Sequence, residues 1–111
     1  MAIIELSLSM EVAGESMECD VYIPANGKRF KVLNFEGEAA FDVNAAVKLV
    51  WIMNHVSETA ETLWSIKGAG QLPKSISRSN ADGIRKLSLC LDNGLTGAVF
   101  LSGHARIWVE E

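Results

Sequence analysis

The chain is 111 residues long, 49% apolar and 22% charged, with a formal net charge of −4. An ordinary globular composition over that length supports a core without staples and reads as one domain, 1–111, which excludes a disordered chain. The acidic balance argues against a sequence-independent nucleic-acid binder, and no apolar run reaches the ~18 residues of a membrane span.

The first strand is read from Ile4, Leu6, Leu8, Met10 and Val12, which alternate with Glu5, Ser7, Ser9 and Glu11. That is the period of an extended chain with one face buried. The opening segment has no basic start and carries Glu5 and Glu11, so it does not read as a signal peptide. Gly14 breaks the pattern. A second strand follows, with Met17, Cys19, Val21 and Ile23 on the apolar parity and Glu18, Asp20 and Tyr22 on the other. Asn26-Gly27 marks a hairpin, because both residues accept positive φ. A third strand runs from Lys28 to about Phe35. Its apolar parity shifts between Val32 and Leu33, as at a bulge or in a strand buried on both faces. Residues 2–36 therefore read as a three-stranded antiparallel meander.

The centre reads as a helix. Asp42 or Asn44 caps it, and Ala46, Leu49, Val50, Met53, Val56, Ala60, Leu63 and Trp64 share one face at helical spacing. Gly68 stops it and Pro73 closes off continuation. The run Val47 to Met53 also fits a buried strand. The spacing over 46–64 favours the helix, broken near Ser57 ahead of Glu58 and Glu61. Residues 67–83 are rich in Gly, Ser, Asn and Pro and read as a long loop. Strand alternation then returns: Leu87, Leu89 and Leu91 against Lys86, Ser88, Cys90 and Asp92. Asn93-Gly94 marks a second hairpin, continued by Leu95, Val99 and Leu101. Beyond Gly103, Ala105, Ile107 and Val109 alternate with Arg106, Trp108 and Glu110. The predicted fold is α+β, an antiparallel sheet of about six strands packed on one central α-helix.

Glu36-Gly37, the run Asp42-Val43-Asn44-Ala45-Ala46-Val47-Lys48-Leu49-Val50, Leu63-Trp64 and Gln71-Leu72-Pro73-Lys74 together resemble a family of short bacterial α+β proteins, a domain of unknown function. The likeness spans roughly residues 15–76. It implies a helix opened by a Gly-x-Asp segment and ended before a Pro turn, and it implies no activity.

Chemistry-bearing patterns are sparse. Gly68-Ala69-Gly70-Gln71-Leu72-Pro73-Lys74-Ser75 follows the phosphate-loop spacing, but Pro73 removes a backbone N–H where phosphate needs one. His55 and His104 stand apart, without metal-ligand spacing. No Ser sits in a nucleophile context, and Cys19 and Cys90 lie in strand alternation rather than at a helix N-terminus, where a thiol is activated. Two cysteines are too few for a disulfide scaffold, and they read as free thiols of a reducing compartment unless their strands meet in space. No cofactor is implied, and enzymatic activity is not the favoured reading.

Charge is divided along the chain. Residues 1–42 hold eight acids against Lys28, Arg29 and Lys31, whereas 67–86 hold Lys67, Lys74, Arg78, Arg85 and Lys86 against Asp82. Trp108 shares strand parity with His104, Arg106 and Glu110 and is therefore expected on the polar face, where a Trp beside an Arg is a typical interface anchor. The leading expectation is a small, cytoplasmic, acidic protein-binding module, immunity- or antitoxin-like, with Trp108, Arg106, Glu110, Glu5, Glu18 and Asp20 as its interface. Two alternatives stand beside it. One is a small-molecule binding domain or enzyme with an aromatic-lined pocket between helix and sheet. The other is a homo-oligomer built through exposed edge strands.

Overall fold

Burial alternates residue by residue along most of the chain, as it does in extended backbone with one face against a core. In the computed structural model, which describes residues 2–41, 43–52, 60–68 and 71–111, this alternation belongs to strands and no described residue is helical. The strands are β1 (Ala2–Val12), β2 (Ser16–Tyr22), β3 (Phe30–Phe41), β4 (Ala45–Ile52), β5 (Ala60–Gly68), β6 (Gln71–Ile84), β7 (Lys86–Asn93) and β8 (Val99–Glu110). They form two four-stranded sheets, ordered β1-β8-β3-β6 and β2-β7-β4-β5. Every pairing is antiparallel. Strand β1 pairs with β8, β2 with β7, β3 with β6 and β4 with β5. The chain is thus one folded-back ribbon wrapped into two layers, the nested pairing of a jelly roll.

This architecture corrects the α+β expectation. The segment predicted as a helix, 46–64, supplies β4 and β5, and the helix implied by the family resemblance is absent with it. Residues Asp42, Met53, His55, Val56, Ser57 and Glu58 lie outside the described residues. In β4, Val47, Leu49 and Trp51 point into the core and are at most 2% exposed, while Lys48, Val50 and Ile52 are only half-buried on the outside. An interior strand flanked on both edges and apolar on both faces loses the polar half of its alternation, and that produced the helical spacing. The predicted loop 67–83 is mostly β6, an edge strand. Its Ser-rich, Pro-containing composition suits an edge, where a missing N–H and polar side chains cost nothing.

The predicted meander is also redistributed: β1 and β3 lie in the first sheet and β2 in the second. The Asn26-Gly27 turn forms as its chemistry demands. Gly27 sits at φ +68° and its N–H donates to Pro24 O at 3.0 Å, while Asn26 Oδ1 accepts from Lys28 N at 2.9 Å. The chain then arches to the other sheet instead of pairing back. Asn93-Gly94 likewise links β7 of one sheet to β8 of the other. The Asn93 side chain is fully buried and its Nδ2 donates to Val12 O, Ala13 O and Gly97 O at 2.9, 3.1 and 2.9 Å.

The core lies between the layers. Phe30, Val32, Phe35, Leu101, Ile107 and Val109 from the first sheet face Val47, Leu49, Trp51, Leu87, Leu89 and Leu91 from the second. Two glycines make room for close approach. A Cβ on Gly103 would lie 2.7 Å from Val47 Cγ1, and one on Gly37 would lie 2.9 Å from the Trp64 ring. The parity shift near Leu33 is a register break between β3 and β8 at Val32/Asn34, which leaves Leu33 exposed.

Candidate functional site

Two broad outer faces remain after the core is built. On the first sheet, strand alternation sends Glu5 and Ser7 of β1, His104, Arg106 and Trp108 of β8, Asn34, Glu36 and Glu38 of β3, and Ser75 and Ser77 of β6 outward. Register then sets them in rows. Arg106 lies between Glu5 and Glu36, and Ser77 follows Glu36 on the next strand. In the adjacent row His104 lies between Ser7 and Glu38, with Ser75 beyond. Trp108 stands between Ile3 and Asn34.

The rows are held by polar contacts across strands. Arg106 Nε donates to Glu5 Oε1 at 3.1 Å. Ser75 Oγ donates to Glu38 Oε1 at 3.1 Å, and Ser77 Oγ to Asn34 Oδ1 at 2.7 Å. Shallow hollows lie along this surface, one of about 180 Å³ between Ser7, Ser9, Glu38, Ser102 and His104 and another of about 230 Å³ among Glu36, Glu38, His104 and Arg106. Ser7, His104 and Glu38 provide hydroxyl, imidazole and carboxylate in one row. No hydrogen bond joins them among the described residues, and Glu38 is engaged by Ser75. The backbone N–H groups of a laddered sheet are not free to stabilise an oxyanion. Among the described residues no three His, Cys, Asp or Glu side chains converge as metal ligands. The face can donate and accept hydrogen bonds over a flat area, with one indole beside them.

The structure separates the six residues expected at an interface. Trp108, Arg106, Glu110 and Glu5 share the first sheet's outer face. Glu18 and Asp20 do not join them. They sit on β2, on the parity of Leu91 and Leu89, and open toward the side of the sandwich, where Asp20 Oδ2 accepts from Ser7 N at 3.3 Å. Glu36, Glu38, His104, Ser75 and Ser77 were not in the expected set. Glu36 and Glu38 flank Gly37 and alternate with buried Phe35 and Ala39, a signal of outward parity that was available in the sequence.

The second outer face differs. Its strand β2 turns Met17 and Val21 outward, 54% and 45% exposed, and Ile23, just past the strand, is 59% exposed. Cys19 and Cys90, directly opposite on β2 and β7 with Cα atoms 4.1 Å apart, form a disulfide on this face. The free-thiol expectation gives way to a cross-strand bond, because the register brings the two strands together. Lys48 Nζ and Asp92 Oδ2 pair at 3.3 Å, with Lys67 and Lys86 on the same outward parity. At the end of the sandwich, Tyr22 stacks edge-on against Phe30, ring centroids 5.4 Å apart, and donates to Glu111 Oε1 at 2.6 Å. Burial of the phenol, followed by the hydrogen bond and negative charge of Glu111, pushes the Tyr22 pKa up to about 12.

No protein-family profile and no curated protein matches the chain. Among solved structures it is similar to one described as "Bacillus endospore appendages form a novel family of disulfide-linked pili", at 13% identity and a TM-score of 0.44, over 95% of this chain and 87% of that one. It is also similar to one described as "CBM4 structure and function", at 9% identity and a TM-score of 0.48, over 97% of this chain and 93% of that one.

Proposed function

We propose that the chain is a protein-binding module whose working surface is the outer face of the first sheet. The observation that carries this reading is the company of Trp108: a half-buried indole on the outer face beside Arg106, with the carboxylates of Glu5, Glu36, Glu38 and Glu110 on the same face. A large amphipathic ring among polar groups is the composition of an interface hot spot. The surplus of carboxylates favours a partner surface rich in Lys and Arg, which they would attract from a distance. The pocket reading loses support because, of its aromatic candidates Trp51, Trp64, Trp108, Phe30, Phe35, Phe41 and Phe100, five are core residues and the other two, Trp108 and Phe100, face outward from the first sheet. The Cys19–Cys90 disulfide favours an oxidising compartment over the reducing cytoplasm.

The test is capture of partners by the immobilised, oxidised protein from its native source, compared with Trp108→Ala of unchanged circular dichroism. Binding should weaken by about 30-fold or more on losing the indole and should fall with added salt. Equal capture by both proteins, or salt-insensitive binding, refutes the reading.

A further inference from the structure

The partner chemistry required above is present on the molecule itself. Strand β2 and the residue after it carry their apolar side chains on the wrong side for a core: Met17, Val21 and Ile23 face solvent while Glu18 and Asp20 take the inward parity. Val50 and Ile52 of β4 are half-buried on the same outer face. Ile23 and Ile52 line a hollow of about 120 Å³ with Lys86 at its rim. The charges of this face are Lys48, Lys67 and Lys86 against Asp92, a positive balance. The first sheet's face has Glu5, Glu11, Glu36, Glu38 and Glu110 against Lys31 and Arg106, a negative one. It also carries apolar groups at its ends, Ile3 and Trp108 at one and Phe100 at the other, with Ile3 55% and Phe100 63% exposed. In charge the two faces are therefore complementary to each other, and each carries a net charge that repels its own copy.

We propose that copies of this chain associate face to back, the first-sheet face of one covering the second-sheet face of the next. This rests on the first-sheet face being a binding surface, and it names a second copy as the occupant. The area is sufficient. The molecule measures 39 × 27 × 19 Å, so each broad face has a footprint on the order of 1,000 Å², above the ~800 Å² per partner of a standard interface. Because the contact joins two different surfaces, each added copy presents a fresh face, and growth continues unless the rotation closes a ring.

Sedimentation of the oxidised protein over a wide concentration range, at low and high salt, tests this. Mass should rise with concentration past the dimer and fall at high salt. Two variants with unchanged circular dichroism sharpen the test: Glu36→Gln/Glu38→Gln on one face and Val21→Asp/Lys86→Glu on the other, a pair whose altered faces have no charge attraction for each other. Each alone should associate at least tenfold more weakly than the parent. Mixed one to one, they should form a dimer that grows no further, because one intact face of each remains. A parent that stays monomeric throughout overturns the proposal, as does either variant associating like the parent, or a mixture that stays monomeric. A monomeric parent that still captures another protein through Trp108 refutes self-association and leaves the binding reading intact. Loss of both removes both.

Discussion

Reducing the Cys19–Cys90 bond should remove a large part of the stability of this domain. The bond spans 71 residues, and opening a loop of that length restores about 15 cal/mol/K to the unfolded chain, about 4 kcal/mol at 25 °C. Small domains have a total of ~5–15 kcal/mol. Strand β2 has little else to hold it, since only Tyr22 of its inward residues packs on the core. Its ladder to β7 supplies the rest. At about 2.1 cal/mol/K of unfolding entropy per residue, the melting temperature should drop by roughly 15–20 °C. Urea denaturation with and without dithiothreitol, and of Cys19→Ala/Cys90→Ala, measures the change. Amide exchange should show β2 losing protection before β7. A loss below about 1 kcal/mol, or uniform protection across β2 and β7 after reduction, would show that the strand is held by its own packing and that the loop argument fails.

Three further outcomes follow from single positions. Gly103→Ala should cost about 1–3 kcal/mol, because the new methyl meets Val47 Cγ1 at 2.7 Å and Leu91 Cδ2 at 3.3 Å in the core; the midpoint of urea denaturation reports it. Asn93→Ala should cost about 2–3 kcal/mol by removing the amide donor to the carbonyls of Val12 and Gly97 and the acceptor of the Leu95 N–H, while Ala13 O keeps its bond from Ser16 Oγ, and thermal melting checks it. Tyr22, pushed up to about 12 from 10.0 in the unfolded chain, keeps its proton longer when folded. Its contribution is fully present below pH 10 and is lost as pH climbs toward 12. Ultraviolet titration of Glu111→Gln should find the Tyr22 midpoint lower than in the parent.

How much of this was legible depends on how many faces of a strand meet water. Strand β1 showed its full alternation because one face is solvated. Likewise Leu87, Leu89 and Leu91 of β7 and Ala105, Ile107 and Val109 of β8 point inward as read, and Arg106 and Trp108 point outward. Strand β4 departs from the helical expectation because its outer face is half-covered, so Val50 and Ile52 join Val47, Leu49 and Trp51 in an apolar run interrupted by Lys48 alone. The two Asn-Gly pairs, expected as hairpins, instead lie where the chain passes from one sheet to the other. Whether a bend leads to a hairpin or to the opposite sheet depends on where the next strand finds a partner, which is long-range information. For the candidate site, parity alone located Trp108 and Arg106. The rows around Glu36, Glu38 and His104 required knowing that β3 lies beside β8.

Strand β2 inverts the usual rule, and its place at the sheet edge explains how. Its inward residues look out through the open side of the sandwich rather than into the core, so Asp20 can take the Ser7 N–H and Glu18 can remain in water. Inward-pointing carboxylates at an edge also repel a further strand trying to add there, as Pro73 does on the β6 edge by withholding an N–H. Edge-to-edge growth, the route expected for a homo-oligomer when the sheet was read as open, is thus opposed at one margin of each layer. What β2 gives up inside it displays outside as Met17 and Val21, continued by Ile23 just past its end. An edge that blocks pairing and a face that exposes apolar surface favour stacking of sheets over their extension. Replacing Glu18 and Asp20 together by Val should therefore leave face-to-back association unchanged while adding an aggregation route that salt does not suppress.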